Sequence, residues 1–215
     1  MPRAWTRSAL GTIAVLVLAV GAYRTVGVEL SSSSRGSSPE QPAQSSAAGT
    51  SRPTVAAGSP SGLRIVHSPG EVTDDAHLSP GQCHARTATG GEPLPDPACT
   101  PGAIDPAVTQ ADIATTICRS GYTATIRPPA SGTGRWKIRT YVFYGLDTGT
   151  RGEYDHLVPL ELGGSNATSN LWIEPGSIPN PKDKVENRLH DQVCAGEVSL
   201  AAAQRAIATD WTAVH

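Results

Sequence analysis

Asp155 and His156 are an adjacent pair whose side chains could do chemistry together. A carboxylate is a hard oxygen ligand for a divalent cation. An imidazole has an ordinary pKa near neutral pH, so it can take a proton from water. The pair could therefore activate a water molecule while a cation balances the charge that develops in the transition state. Neighbours on an extended strand point to opposite faces, so both reach one substrate only where the backbone bends. Pro159 cannot donate to a sheet ladder, and Gly163-Gly164 permits a tight reversal with positive φ, so a bend has a cause close at hand.

The elements that must position this pair can be read outward from it. Residues 153–156 begin a short strand, and the polar stretch after Pro159 is a loop. Asn170 opens a second apolar run, Leu171-Trp172-Ile173, which Pro175 stops. Asn180 and Pro181 then suit the N-cap and first position of a helix. Val185, Leu189 and Val193 recur on one face of that helix and point it at a core, while Asp183, Glu186, Asn187 and His190 take the other faces. Gly196 is a C-terminal stop, and Ser199 caps a last helix carrying Leu200, Ala203, Ile207 and Trp211 along one stripe. Trp172 reads as core, and Asn166 as turn chemistry.

The ordered set Asp155-His156-Leu-Val-Pro159, then Gly163-Gly164, then Asn170-Leu171, resembles the HNH nuclease motif of the ββα-metal (His-Me finger) superfamily. The likeness covers roughly residues 153–190, and it is similar in wording to secreted bacterial HNH-like proteins. It implies an α+β fold: a ββα-metal core with flanking helices. It also implies roles. His156 is the general base. Asp155 is a metal ligand. Asn170 holds the loop and orients the histidine. Asn180 is the nearest candidate for the third motif position, a further metal ligand, with helix capping as its plain alternative. Asp183, Glu186 and His190 are the fallback ligands. Lys182 or Lys184 stands for the lysine that follows the motif and binds substrate. The cofactor implied is one divalent ion, with Mg²⁺ or Mn²⁺ favoured and Zn²⁺ as the alternative. The activity implied is metal-dependent endonuclease action on nucleic acid, DNA ahead of RNA. The other function class is an exported, wall-associated binding module that keeps the scaffold without catalysis.

A basic strip precedes the motif. Arg119, Arg127, Arg135, Lys137 and Arg139 occur with no acid from 119 to 146, whereas from 147 onward there are ten acids against five bases. Arg135, Lys137 and Arg139 are therefore candidates for contacting phosphate. The plain alternative is a solvated face, and a net charge of −2 does not by itself call for nucleic acid.

Upstream, residues 1–22 combine Arg3 and Arg7 with an uncharged apolar run from Ala9 to Ala22, which reads as a signal peptide. An uncleaved membrane anchor is the alternative, and would be the chain's one link to a membrane. Residues 23–62 read as a disordered linker rich in Ser, Gly, Pro and Ala. Residues 63–117 read as an extension and 118–215 as the HNH-like domain. Leu63 to Val66 is a weak strand candidate. Helices are expected over 106–118 and 136–144, and a strand over 123–126. Four cysteines behind an export signal imply disulfides, and of three possible pairings Cys83–Cys99 and Cys118–Cys194 are favoured. A zinc site is the competing use, but no Cys-x-x-Cys pair exists.

Overall fold

A computed structural model describes Ser59 and residues 61–215. The signal-peptide reading and all of the linker but Ser59, Ser61 and Gly62 lie outside the described residues. The elements in chain order are β1 (Arg64–Ile65), β2 (Arg86–Thr87), β3 (Pro93–Leu94), β4 (Ala103–Ile104), α1 (Tyr122–Ile126), α2 (Ala130–Phe143), β5 (Gly152–His156), β6 (Leu171–Pro175), α3 (Lys182–Cys194) and α4 (Leu200–Asp210). Short 3₁₀ turns cover Leu160–Leu162, Thr168–Asn170 and Trp211–Ala213. Helix and strand are thus mixed, as an α+β chain requires. The central pairing is β5 against β6, antiparallel, with Asp155 opposite Trp172 and His156 opposite Leu171. α3 follows, so the order strand, loop, strand, helix is present.

The main core joins the two ends of the described chain. Val158 and Leu162 from the loop meet Leu189 and Val193 of α3, Ala203 and Ile207 of α4, and Ile104, Val108 and Ile117 from upstream. β1 pairs in parallel with β4, and Ile104 bridges to Gly164. Residues 63–117 and 118–215 therefore share one apolar interior. A second cluster places Trp172 against Phe143, Tyr144 and the Cys83–Cys99 bridge. The second bridge is Cys118–Cys194, so both pairings match the expectation.

Two local expectations fail. Residues 106–118 form successive turns, not an α-helix. Asp105 does cap, accepting from Ala107 N–H, but the hydroxyls of Thr115 and Thr116 both donate to Asp112 O. Asp112 O also accepts the Thr116 N–H, yet most backbone bonds here run to the third residue back, as from Asp112 to Thr109 and from Arg119 to Thr116, so turns form instead of an α-ladder. Residues 123–126 are helical, in α1, not a strand. Gly121 at φ 79° turns the chain in, and Arg127 is extended ahead of Pro128, where the following ring disfavours helix. α2 covers the expected helix except Tyr144, which is its C-cap, and begins six residues earlier, directly after Pro129.

Candidate functional site

The loop between β5 and β6 is tied by Asn170. Its Oδ1 accepts from Ala103 N–H (3.2 Å) and Val158 N–H (2.9 Å), and its Nδ2 donates to Val158 O (2.9 Å) and Ser165 O (2.8 Å). Asn170 is fully buried, so all of this holds the backbone and none of it meets solvent. Gly164 permits the reversal: a Cβ there would lie 1.8 Å from Val158 O. Gly163 sits at φ 73°, in the left-handed region. The loop-holding part of the Asn170 expectation describes these bonds. The orienting part does not, because Asn170 makes no hydrogen bond to the His156 ring.

Asn166 does that instead. Its Oδ1 lies 2.8 Å from His156 Nε2. Its Nδ2 donates to Ser68 O (2.6 Å) and Ile126 O (2.9 Å), which fixes which end of the amide faces the ring. The acceptor end faces Nε2, so Nε2 carries the proton and Nδ1 is the basic nitrogen. Nothing among the described residues hydrogen-bonds Nδ1. Burial pushes the His156 pKa down to about 4, against the opposing pull of the Asp155 charge, so the ring is neutral at pH 7.

His156 forms one wall of a cleft of about 390 Å³ that Arg127, Thr133, Lys137, Tyr154 and Leu171 also line. Two cations thus share a cleft with a neutral imidazole. Of the basic residues expected to meet substrate, Lys137 is in this cleft. Arg135 and Arg139 lie on the same helix but do not line it; their guanidinium carbons lie 5.6 and 4.5 Å from the centroid of the Trp136 ring, and Arg139 pairs with Asp74 at 3.6 Å. Lys184 is exposed on α3 and does not line it either. Arg127 and Asn166 were not among the expected site residues. Arg127 was visible only as one member of the basic strip, and Asn166 looked like a turn residue.

Asp155 faces elsewhere. β5 remains regular through His156, so the bend comes after the pair and strand alternation separates the two side chains. Lys182, expected to contact substrate, is fully buried. Its Nζ donates to Asp155 Oδ2 (2.7 Å), to His156 O (2.7 Å) and to a carboxylate oxygen of Glu186. An ammonium has three donors, and all three are used. Burial lowers the Lys182 pKa, but the Asp155, Glu186 and Glu174 charges together outweigh it, and the group is held above the ordinary lysine range. Burial pushes Glu174 up to about 8 and raises Glu186 as well, in each case against the Lys182 charge. Asn180 Oδ1 accepts from Lys182 N–H at 2.9 Å, which is a capping bond. The oxygens around Asp155 have the chemistry a hard divalent ion wants, but the ammonium already stands among them. As folded, Asp155 Oδ2 bonds the ammonium and Asn180 Oδ1 caps α3, so neither expected ligand presents that oxygen to a divalent ion.

A different group could hold a metal ion. The ligand atoms of Cys118, His190 and Cys194 lie within 4.8 Å of one another. The two sulfurs are joined in the Cys118–Cys194 disulfide, so neither offers a thiolate while that bond stands. His190 instead lies with Nε2 at 3.0 Å from Ile117 O.

The two disulfides suit an oxidising, extracytoplasmic compartment. Among the described residues no helix is long and apolar enough to cross a membrane. No protein-family model, no curated protein and no solved structure matches the chain.

Proposed function

We propose that this chain is an exported hydrolase of phosphodiester bonds, with DNA as the first substrate to consider, and that its cleft works through His156 as general base. The observation that carries the proposal is the His156 ring itself: neutral, fixed at Nε2 by Asn166, and free at Nδ1 in a cleft that also holds Arg127 and Lys137. Nδ1 takes one proton of an attacking water as the water oxygen bonds phosphorus; the P–O bond to the leaving sugar oxygen breaks, and that oxygen takes a proton from solvent. Arg127 and Lys137 offset the charge of the phosphate and of the transition state. Thr133 and Tyr154 shape the remainder of the wall. Lys182 acts at one remove, holding the His156 carbonyl and so the end of β5. The β5, β6, α3 order and the motif spacing support an HNH-like ancestry for this arrangement. No step is assigned to a metal, because the position beside Asp155 is filled.

A second reading has its own observation. A lysine ammonium among the oxygens of Asp155 and Glu186 is what a scaffold that had given up metal-assisted cleavage would carry, leaving a binding module. Incubation of supercoiled plasmid with the oxidised full chain separates the two, in Mg²⁺, Mn²⁺ or EDTA. The hydrolase nicks the plasmid and His156→Ala slows nicking by roughly 10²–10⁴-fold. Retention of plasmid on the protein without nicking under every condition supports the module.

A further inference from the structure

We infer that the Lys182 ammonium is the resident cation of the acidic cluster between β5 and α3, that it keeps divalent ions out of that cluster, and that removing it uncovers a binding site for one hard divalent ion. Three oxygens, two from adjacent residues of β5 and one from α3, converge on a single point. They are Asp155 Oδ2 at 2.7 Å, His156 O at 2.7 Å and one Glu186 carboxylate oxygen. A carbonyl and two carboxylates are ligands for Ca²⁺, Mn²⁺ or Mg²⁺. A second feature points the same way. Glu174 is buried on the same face of the β5–β6 pair as Asp155, and its Oε2 has no hydrogen-bond partner among the described residues. An unpartnered buried carboxyl oxygen is costly in a folded protein, and on losing its proton to an entering cation it becomes a fourth oxygen of the type such an ion takes.

The ammonium satisfies the same demand by other means. It brings positive charge and three donors to three acceptors, and it is wholly shielded from solvent. It enters from the first residue of α3, and the N–H of that residue is held by Asn180 Oδ1. The cluster therefore ties β5 to α3 without an exchangeable ligand. A divalent ion could enter only by expelling a buried lysine from its three bonds. Truncating the side chain frees the oxygens of Asp155, His156 and Glu186 and empties the volume of a long side chain, which ion and water can share.

The test needs no turnover, so its outcome is separate from that of the hydrolytic reading. Mn²⁺ is titrated into the oxidised full chain and free Mn²⁺ is read by electron paramagnetic resonance. Four proteins are compared: wild type, Asp155→Asn, Lys182→Ala, and the Lys182→Ala/Asp155→Asn double variant. Wild type and Asp155→Asn should take up Mn²⁺ alike. Lys182→Ala should take up one further equivalent, lost again in the double variant, and its Tm should rise with Mn²⁺. The inference is overturned if wild type holds one equivalent that Asp155→Asn removes, or if folded Lys182→Ala gains none. Should Lys182→Ala fold only with Mn²⁺ present, the inference stands; should it fold in neither condition, the wild-type comparison decides alone.

Discussion

A histidine serves as a base only while it is unprotonated, and its use depends on which nitrogen is free. In this chain Asn166 settles the second point: its own two donor bonds leave only the carbonyl end for Nε2. Asn166→Ala should therefore cut nicking by roughly one to two orders of magnitude while His156 is intact, since a ring free to turn presents Nδ1 only part of the time. It should also lower Tm, because Ser68 O and Ile126 O lose a buried donor. Asn166→Asp, which keeps the acceptor but not the donors, should recover less than Asn166→Gln, whose amide keeps both. Burial settles the first point. Glu174 makes a separate pH prediction. Its folded pKa is raised to about 8 from the ordinary 4.5, so the folded chain retains a proton that the unfolded chain releases. The stability this contributes is complete below about 4.5 and is lost as pH rises through about 8. Glu174→Gln copies the protonated form at every pH. Denaturant unfolding should find the variant gaining on wild type as pH climbs from 6 to 9; a constant difference would show that Glu174 does not titrate in that range.

At the scale of elements, the β5–loop–β6 unit was legible because its breakers act locally. Pro159, Gly163 and Gly164 impose their geometry whatever surrounds them, and Asn170 stands where the second strand starts. α3 and α4 were legible from apolar spacing, since Leu189, Val193, Ala203 and Ile207 are all in the core. The run 106–118 was not, because its backbone closes mostly to the third residue back, a tighter turn that the same residue pattern does not distinguish from an α-helix. Nor was the role of Lys182: its burial depends on Asp155, 27 residues away in sequence, meeting Glu186 one turn along α3. Asn166 was hidden for a similar reason, as its partners Ser68 and Ile126 lie 98 and 40 residues away. Gly164→Ala tests the loop. The added Cβ would fall 1.8 Å from a backbone oxygen that has no room to withdraw, so the loss should be large, roughly 3–5 kcal/mol. Gly134→Ala in α2, where an added Cβ meets nothing within 4 Å, is the matched control and should stabilise or be neutral. Equal Tm values for the two variants would contradict the loop geometry.

Over the whole molecule, a modest apolar interior is supplemented by two covalent links of very different span. Cys83–Cys99 closes 16 residues of sequence and Cys118–Cys194 closes 76. On chain entropy the short loop contributes about 3 kcal/mol and the long one about 4 kcal/mol. Replacing Cys118 and Cys194 by serine should thus lower the unfolding free energy more than replacing Cys83 and Cys99, and the reverse order would mean that local packing around Trp172 outweighs loop length. The basic strip belongs to this scale too, because Arg127 and Lys137 reach the cleft from a connecting segment and from α2 while His156 comes from β5. If the cleft takes a polyanion, affinity should fall steeply with salt, and Lys137→Ala should flatten that dependence by about one unit of log–log slope.

The central claim is that His156 is a buried neutral ring offering Nδ1. The most direct measurement is long-range ¹H–¹⁵N correlation of the imidazole in uniformly ¹⁵N-labelled protein, assigned with His156→Gln and followed from pH 8 to pH 3.5. The expected result is the Nε2–H tautomer throughout the neutral range, with protonation setting in only as pH approaches about 4. A ring that is doubly protonated at pH 7, or that carries its proton on Nδ1, would contradict it.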